Sequence, residues 1–299
     1  FNGDPGHPTT CPGEQYKPFQ HHLLSPCRTS ELRLLLSVFH FPKFRGKALM
    51  PNYSQYSERL SSALDLATGP VAVTFTARPL EGHAAPSQPV AAGCTFWESG
   101  ASAALATSAS DHANCAIGVY THNLAGAPQS QASELETTLA AMRGLEYLKP
   151  GEVETIPVMS RESQWVCYTP LSQCRESPAL VLLFANARQG LIITEAIARV
   201  DGANPLSLGR PACALIPQVL NSGQSAASLG CCGARAYLKG FDDSVTLWAL
   251  NGEQLPAYVE AIDTLAEANE TLTHYHQLRG ETIAAGGSPT VQQSLDRLS

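Results

Sequence analysis

An internal repeat of cysteine-containing segments is the feature that most constrains how this chain can fold. Each half contains a strand pattern, a cysteine, a Ser-Gly-x-Ser-Ala-Ala sequence and a second cysteine, in that order, followed by a glycine and a tyrosine. Self-similarity of this kind indicates two related supersecondary units. The repeated segments are 71–76, Cys94, 99–104 and Cys115 in the first half, and 179–184, Cys213, 222–227 and Cys231 in the second.

The spacing within the two copies suggests that the cysteines occupy equivalent positions. Five residues separate the first cysteine from the Ser-Gly pair in one copy and nine in the other. The difference is close to one helical turn, so the cysteine keeps the same helix face. Two such units related by a pseudo-twofold axis would bring four thiols together at that axis. The alternative is that each cysteine is a small buried hydrophobic residue in separate packing.

The hydrophobic pattern predicts an α/β (α+β) fold built from the two halves packed with pseudo-twofold symmetry. The continuous apolar run at 179–184 predicts a central strand, and 153–159 also has a strand pattern. Apolar residues at helical spacing predict the longest helix near the C-terminus, at 253–280. We therefore expect two strand–Cys–helix–strand–Cys halves, about 50–150 and 151–280, closed by a long C-terminal helix.

The chain ends are expected to lie outside this domain. Residues 1–49 are rich in His and Pro and have little periodicity, which predicts a disordered or non-native N-terminal extension. Residues 50–280 are predicted to form a single globular domain. The Gly- and Ser-containing segment 281–299 is predicted to be a flexible tail.

Composition and charge exclude several classes of partner. The net charge is −7 and the sequence has no cluster of Lys and Arg, which argues against nucleic acid and anionic membranes as partners. No apolar stretch reaches the length of about 18 residues that a transmembrane helix requires. Nine cysteines are too few for a disulfide scaffold in 299 residues, which predicts a reducing, cytoplasmic location with free or metal-bound thiols.

Several short stretches, in the same order along the chain, resemble the prokaryotic family known as domain of unknown function 169. The resemblance extends over roughly residues 53–265. It implies a cysteine in each of the four contexts of the repeat, but no settled activity, since the family has none. Cys232 departs from the pattern and leaves open which of the adjacent pair, Cys231 or Cys232, is the functional one. The stretches are 69–73 (GPVAV), 94–97 (CTFW), 111–120 (DHANCAIGVY), 209–213 (GRPAC) and 229–233 (LGCCG).

A site of four thiolates suits either an iron–sulfur cluster or Zn²⁺. Structural zinc sites usually contain a Cys pair two to four residues apart, whereas here the spacings within the halves are 21 and 18 residues. Widely spaced single cysteines fit an iron–sulfur cluster better, with zinc as the alternative. Cys232 and His112, three residues before Cys115, are further candidate ligands. The predicted metal or cluster ligands are Cys94, Cys115, Cys213 and Cys231.

Two other functions remain open from the sequence. In a metal-free thiol enzyme, Cys94 or Cys213 at the start of a helix would have a lowered pKa. In a sensor or binding module, the cleft between the halves would hold a small ligand. The expected partner is an unknown small molecule or a redox protein, and the sequence assigns neither a catalytic residue nor a reaction.

Overall fold

The structure is built on a seven-stranded mixed sheet. The computed structural model describes residues 51–298, except for the side chain of Cys232, so the extension predicted for 1–49 lies outside the described residues. The strands are β1 (Val71–Thr76), β2 (Leu105–Thr107), β3 (Trp165–Pro170), β4 (Leu180–Asn186), β5 (Leu206–Leu208), β6 (Ala226–Ser228) and β7 (Val245–Asn251). Their order is β2-β3-β1-β4-β7-β6-β5, and neighbours are antiparallel apart from the β5–β6 pair.

Helices cover both faces of the sheet and confirm the predicted α/β class. The helices are α1 (Tyr53–Leu64), α2 (Thr95–Ser102), α3 (Ala116–His122), α4 (Gln129–Gly144), α5 (Ala187–Asp201), α6 (Leu215–Ser222), α7 (Cys232–Tyr237), α8 (Leu255–Ala284) and α9 (Val291–Leu295). Helices α1, α5 and α8 pack on one face, and α2, α3, α6 and α7 lie on the other. None of the helices within 51–298 has the length and apolar composition needed to cross a bilayer.

The central strand β4 shows why the apolar runs fold this way. Residues 180–185 are almost completely buried, because successive side chains point into opposite helical layers. Leu180 and Leu182 pack in the core beneath α2 and α6, whereas Val181 and Leu183 pack in the core beneath α5 and α8. The predictions of a central strand and of a long C-terminal helix are therefore confirmed.

The prediction of a strand at 153–159 is wrong. The segment begins with a 3-10 turn, Val153–Thr155, and continues without regular structure. Its backbone hydrogen bonds go elsewhere: the Met159 amide donates to the Thr121 carbonyl at 2.9 Å, and Asn221 Nδ2 donates to the Val158 carbonyl at 2.7 Å. Pro157 lacks the amide that a ladder would need. An apolar pattern alone does not produce a strand when the backbone amide and carbonyl groups of the segment already have hydrogen-bond partners in neighbouring helices.

The segment predicted as a flexible tail, 281–299, contains the end of α8 and the short helix α9. Arg279 Nη1 in α8 donates to the Pro289 carbonyl at 2.7 Å, and Ser294 in α9 is buried. These contacts fold α9 back against α8.

The strand order reflects the repeat seen in the sequence. Strands β1, β3 and β2 follow one another outward on one side of the sheet, and β4, β7 and β6 hold the mirrored places on the other side. The Ser-Gly-x-Ser-Ala-Ala match itself is out of register, since it aligns Ala103 with Ala226, whereas β2 begins at Leu105 and β6 at Ala226. The elements therefore correspond with a shift of two residues, and the pseudo-twofold symmetry stays a prediction.

Candidate four-cysteine site

Four cysteines from the two halves line one small cavity, which we call the cysteine cavity. Its volume is about 80 Å³, and it lies on the face of the sheet that carries α2, α3, α6 and α7. Apart from the thiols, its walls are two histidines and small or apolar residues. The lining cysteines are Cys94, Cys115, Cys213 and Cys231, all free thiols, and the histidines are His112 and His122.

Each of the four cysteines lies at or just before the first residue of a helix. Cys94, Cys115 and Cys231 immediately precede α2, α3 and α7. Cys213 lies in a 3-10 turn, Ala212–Ala214, which leads directly into α6. The chain thus delivers two thiols from each half to the same place, as the repeat predicted. Their role as ligands stays a prediction.

The thiols are close enough to influence one another, and burial dominates their acidity. Burial, followed by the nearby thiols of Cys115 and Cys231, raises the pKa of Cys94 from 9.0 to about 12. Burial also raises the pKa of Cys213, and Cys115 adds to the effect. The expectation of a lowered pKa at these helix starts is therefore wrong, because burial outweighs the backbone hydrogen bond that lowers the pKa of Cys94. Without a cation beside them, both thiols stay protonated at neutral pH.

His112 forms a buried wall of the cavity and has one nitrogen without a partner. Its Nε2 lies 3.0 Å from the Oγ1 of Thr107, whose hydroxyl donates to the Val166 carbonyl at 3.4 Å. The other ring nitrogen, Nδ1, is buried and has no hydrogen-bond partner. Burial, and then the nearby His122 ring, lowers the pKa of His112 to about 3. The ring is therefore neutral at physiological pH.

A glycine is required beside His112. A Cβ added at Gly93 would stand 2.2 Å from His112 Nδ1, which is closer than any real contact. The residue before Cys94 is therefore glycine so that the imidazole can lie directly against the backbone. This close approach fixes the ring between the start of α2 and the start of α3.

A second buried histidine, His122, was not identified as a candidate from the sequence. Its Nδ1 donates to the Gly118 carbonyl at 2.8 Å, while Nε2 is buried without a partner. Burial lowers the pKa of His122 to about 4, so this ring is also neutral. The sequence did contain a signal, because His122 follows Cys115 by seven residues, two helical turns, and so shares its helix face.

One cysteine of the cavity accepts a hydrogen bond from a buried hydroxyl. Thr121 Oγ1 in α3 donates to Cys213 Sγ at 3.3 Å, and the same hydroxyl lies 3.2 Å from the Gly118 carbonyl. Thr121 is fully buried. The contact connects the two halves, since Thr121 belongs to the first and Cys213 to the second.

The arrangement differs from that of a single-ion site. Among residues 51–298, no group of three or more His, Cys, Asp or Glu side chains is arranged to hold one metal ion as it stands. The four thiols instead surround the cavity. Of the adjacent pair, Cys231 lines the cavity, whereas the side chain of Cys232 is outside the described part of the structure.

Comparison with known proteins gives one match. No curated protein and no solved structure gives a significant match to this chain. The family model DUF169, described as an uncharacterised ArCR family, matches residues 59–261, which include all four cysteines of the cavity and both of its histidines. The match spans the sheet from β1 to β7 and most of the helices described above. The chain therefore belongs to the uncharacterised DUF169 family.

Proposed function

We propose that this protein binds an iron–sulfur cluster through Cys94, Cys115, Cys213 and Cys231 and that it has a redox role. The observation that carries the proposal is the lining of one cavity by four free thiols from four separate segments. Cysteine thiolates are the usual ligands of iron–sulfur clusters. Free cysteines that served only as small hydrophobic residues would have no reason to share one cavity.

The shape of the site favours a cluster over a single zinc ion. Zinc holds four sulfurs about 2.3 Å from one point, which sets the sulfurs about 3.8 Å apart. A cluster places iron and sulfide between its cysteine ligands, so that these surround a small volume. The thiols here line a cavity of about 80 Å³, and they come from four separate segments without the Cys pair two to four residues apart that is usual in structural zinc sites.

The unpartnered histidine nitrogens also support a bound group. Buried polar atoms nearly always have a hydrogen-bond partner, so His112 Nδ1 and His122 Nε2 call for an explanation. Both rings line the cysteine cavity. A metal centre there would give these nitrogens a neighbour to interact with, and His112 is the alternative ligand should one cysteine not coordinate.

The raised pKa values weigh against the metal-free thiol enzyme. A nucleophilic cysteine needs a thiolate near neutral pH, whereas burial raises the pKa of Cys94 to about 12. Binding to a soft metal is what deprotonates a buried thiol. The same burial that disfavours a free nucleophile is compatible with a ligand.

The test is metal and sulfide analysis of the full chain purified without oxygen. We expect a brown protein with absorbance near ~400 nm and with iron and acid-labile sulfide in stoichiometric amounts. Replacing each of the four cysteines by alanine should abolish the colour. Cys167→Ala is the matched control, because Cys167 is also a free thiol, buried like Cys213, but lies in β3, outside the cavity.

Three results would contradict the proposal. A colourless protein with one equivalent of zinc would establish the alternative metal. A metal-free protein that reacts rapidly with alkylating agents would favour thiol catalysis. Equal loss of iron in Cys167→Ala and in Cys213→Ala would show that the cavity has no special role.

A further inference from the structure

A second cavity, which we call the apolar pocket, adjoins the cysteine cavity. Its volume is about 160 Å³, and it lies between α4 and the segments that carry Pro211 and Cys231. Ile117, Pro211, Cys231 and Gly233 line both cavities. A molecule in the apolar pocket would therefore lie against the wall that contains the Cys231 thiol.

The inner wall of the apolar pocket is formed by aliphatic side chains from both halves. Leu139 and Met142 come from α4, and Ile156 comes from the segment after the 3-10 turn. Leu139 and Ile156 are buried apart from the face they present to the pocket. A pocket of about 160 Å³ with such walls has room for a molecule the size of benzene.

The charged residue at this pocket is already neutralised. Arg210 Nη2 donates to Glu152 at 3.1 Å, and its guanidinium lies 4.4 Å from the centre of the Tyr147 ring. The ion pair with Glu152 offsets the charge of the arginine, and the rest of the exposed lining is almost entirely apolar. The pocket therefore favours uncharged ligands.

We propose that the apolar pocket binds an uncharged apolar molecule of about the size of benzene, held beside Cys231. Binding of this molecule is inferred from the pocket alone. Its role as the molecule on which the cysteine site acts rests in addition on the function proposed above. The shared wall at Cys231 and Gly233 brings the bound molecule to the edge of the cysteine cavity. The size and polarity of the apolar pocket thus select which molecules can lie beside the cysteine cavity.

The test measures binding of benzene and of benzoate to the full chain by ligand-observed NMR. We expect benzene to bind and benzoate to bind at least about tenfold more weakly, because the carboxylate would lose its hydration in an apolar pocket whose arginine is already paired with Glu152. Leu139→Phe, which fills the pocket, should weaken benzene binding at least about tenfold. The matched control is Leu145→Phe, because Leu145 directly follows α4 and is 79% exposed.

A second variant keeps the proposal falsifiable should Leu139→Phe fail to fold. A Cβ at Gly233 meets nothing within 4 Å, so Gly233→Val adds bulk to the shared wall without a clash from its first carbon. It should also weaken benzene binding. The proposal is overturned when benzene does not bind the wild-type chain, when benzoate binds as well as benzene, or when a folded filling variant binds benzene normally.

Iron and sulfide analysis of the same samples separates this proposal from the proposed function. In cluster-loaded protein, benzene should alter the visible absorbance of the cluster, and Leu139→Phe should suppress that change. If a saturating concentration of benzene left the absorbance of the cluster unchanged, the bound molecule would not lie beside the cysteine cavity. Benzene binding that is lost in Leu139→Phe, in a protein without iron or zinc, would uphold the pocket and refute the function.

Discussion

Replacing Thr121 by valine tests how the protein tunes the proposed cluster. The Thr121 hydroxyl donates to Cys213 Sγ at 3.3 Å in a fully buried setting. Valine keeps the branched shape of threonine and removes only the donor. A hydrogen bond to a ligand sulfur stabilises the more negative, reduced state of a cluster, so its loss should lower the reduction potential.

The size of the shift follows from the strength of one hydrogen bond. A net value of about 0.5–1.5 kcal/mol corresponds to roughly 20–60 mV for a one-electron couple. The hydroxyl has a single hydrogen, which it shares between Cys213 and the Gly118 carbonyl 3.2 Å away. The negative charge of a metal-bound thiolate makes the sulfur the stronger acceptor of this hydrogen. Because the hydrogen is still shared, we expect the shift in reduction potential to lie in the lower half of that range.

The assay is a redox titration of the cluster followed by its visible absorbance. Thr76→Val is the matched control, because Thr76 Oγ1 lies 3.7 Å from the Sγ of Cys167, a cysteine outside the cavity. We expect a lower potential in Thr121→Val and an unchanged one in Thr76→Val. Equal potentials in Thr121→Val and the wild type, or an upward shift, would refute the reasoning.

Other predictions concern stability and acidity. Tyr258→Phe removes the hydroxyl that donates to Asp201 and should lower the free energy of unfolding in urea by about 1–3 kcal/mol; an unchanged midpoint would refute this. Gly280→Ala should raise the free energy of unfolding by about 0.5–1 kcal/mol, because the glycine lies inside α8 and an added Cβ would have nothing within 4 Å. A lower melting temperature would contradict this. Hydrogen bonds from the Ser244 hydroxyl and amide hold the pKa of Asp242 below its ordinary value of 3.8. The ionised carboxylate therefore stabilises the folded state fully above pH 3.8, and this stabilisation is lost as the pH falls through the lowered pKa. Acid titration of unfolding should therefore be less steep in Asp242→Asn, and equal steepness would count against the assignment.

The sequence could predict the order of the elements because that order follows from hydrophobic periodicity. Strand β4 and helix α8 were recognisable from one continuous apolar run and one long helical pattern. The segment 153–159 has a similar pattern, but Pro157 and hydrogen bonds to Thr121 and Asn221 keep it out of the sheet. Such partners come from distant parts of the chain and leave no local signal.

The candidate site was predictable in its cysteines but not in its environment. The repeat identified four thiols, which the structure brings around one cavity. It could not reveal that burial raises the pKa of Cys94, because burial depends on how α2, α3 and α6 pack together. His122 was missed because its spacing from Cys115 acquires meaning only once the segment between them is known to be helical.

The position of the cavity explains why both halves are needed for the proposed site. Each half supplies two thiols, and the sheet continues across the halves through the β1–β3 and β1–β4 ladders, whose residues do not line the cavity. The layer formed by α1, α5 and α8 is likewise buried on the opposite face. Most of the fold therefore rests on contacts away from the cavity. We expect removal of a bound metal to leave the domain folded, unlike small zinc domains that unfold when the metal is removed, and circular dichroism of the chelated protein checks this.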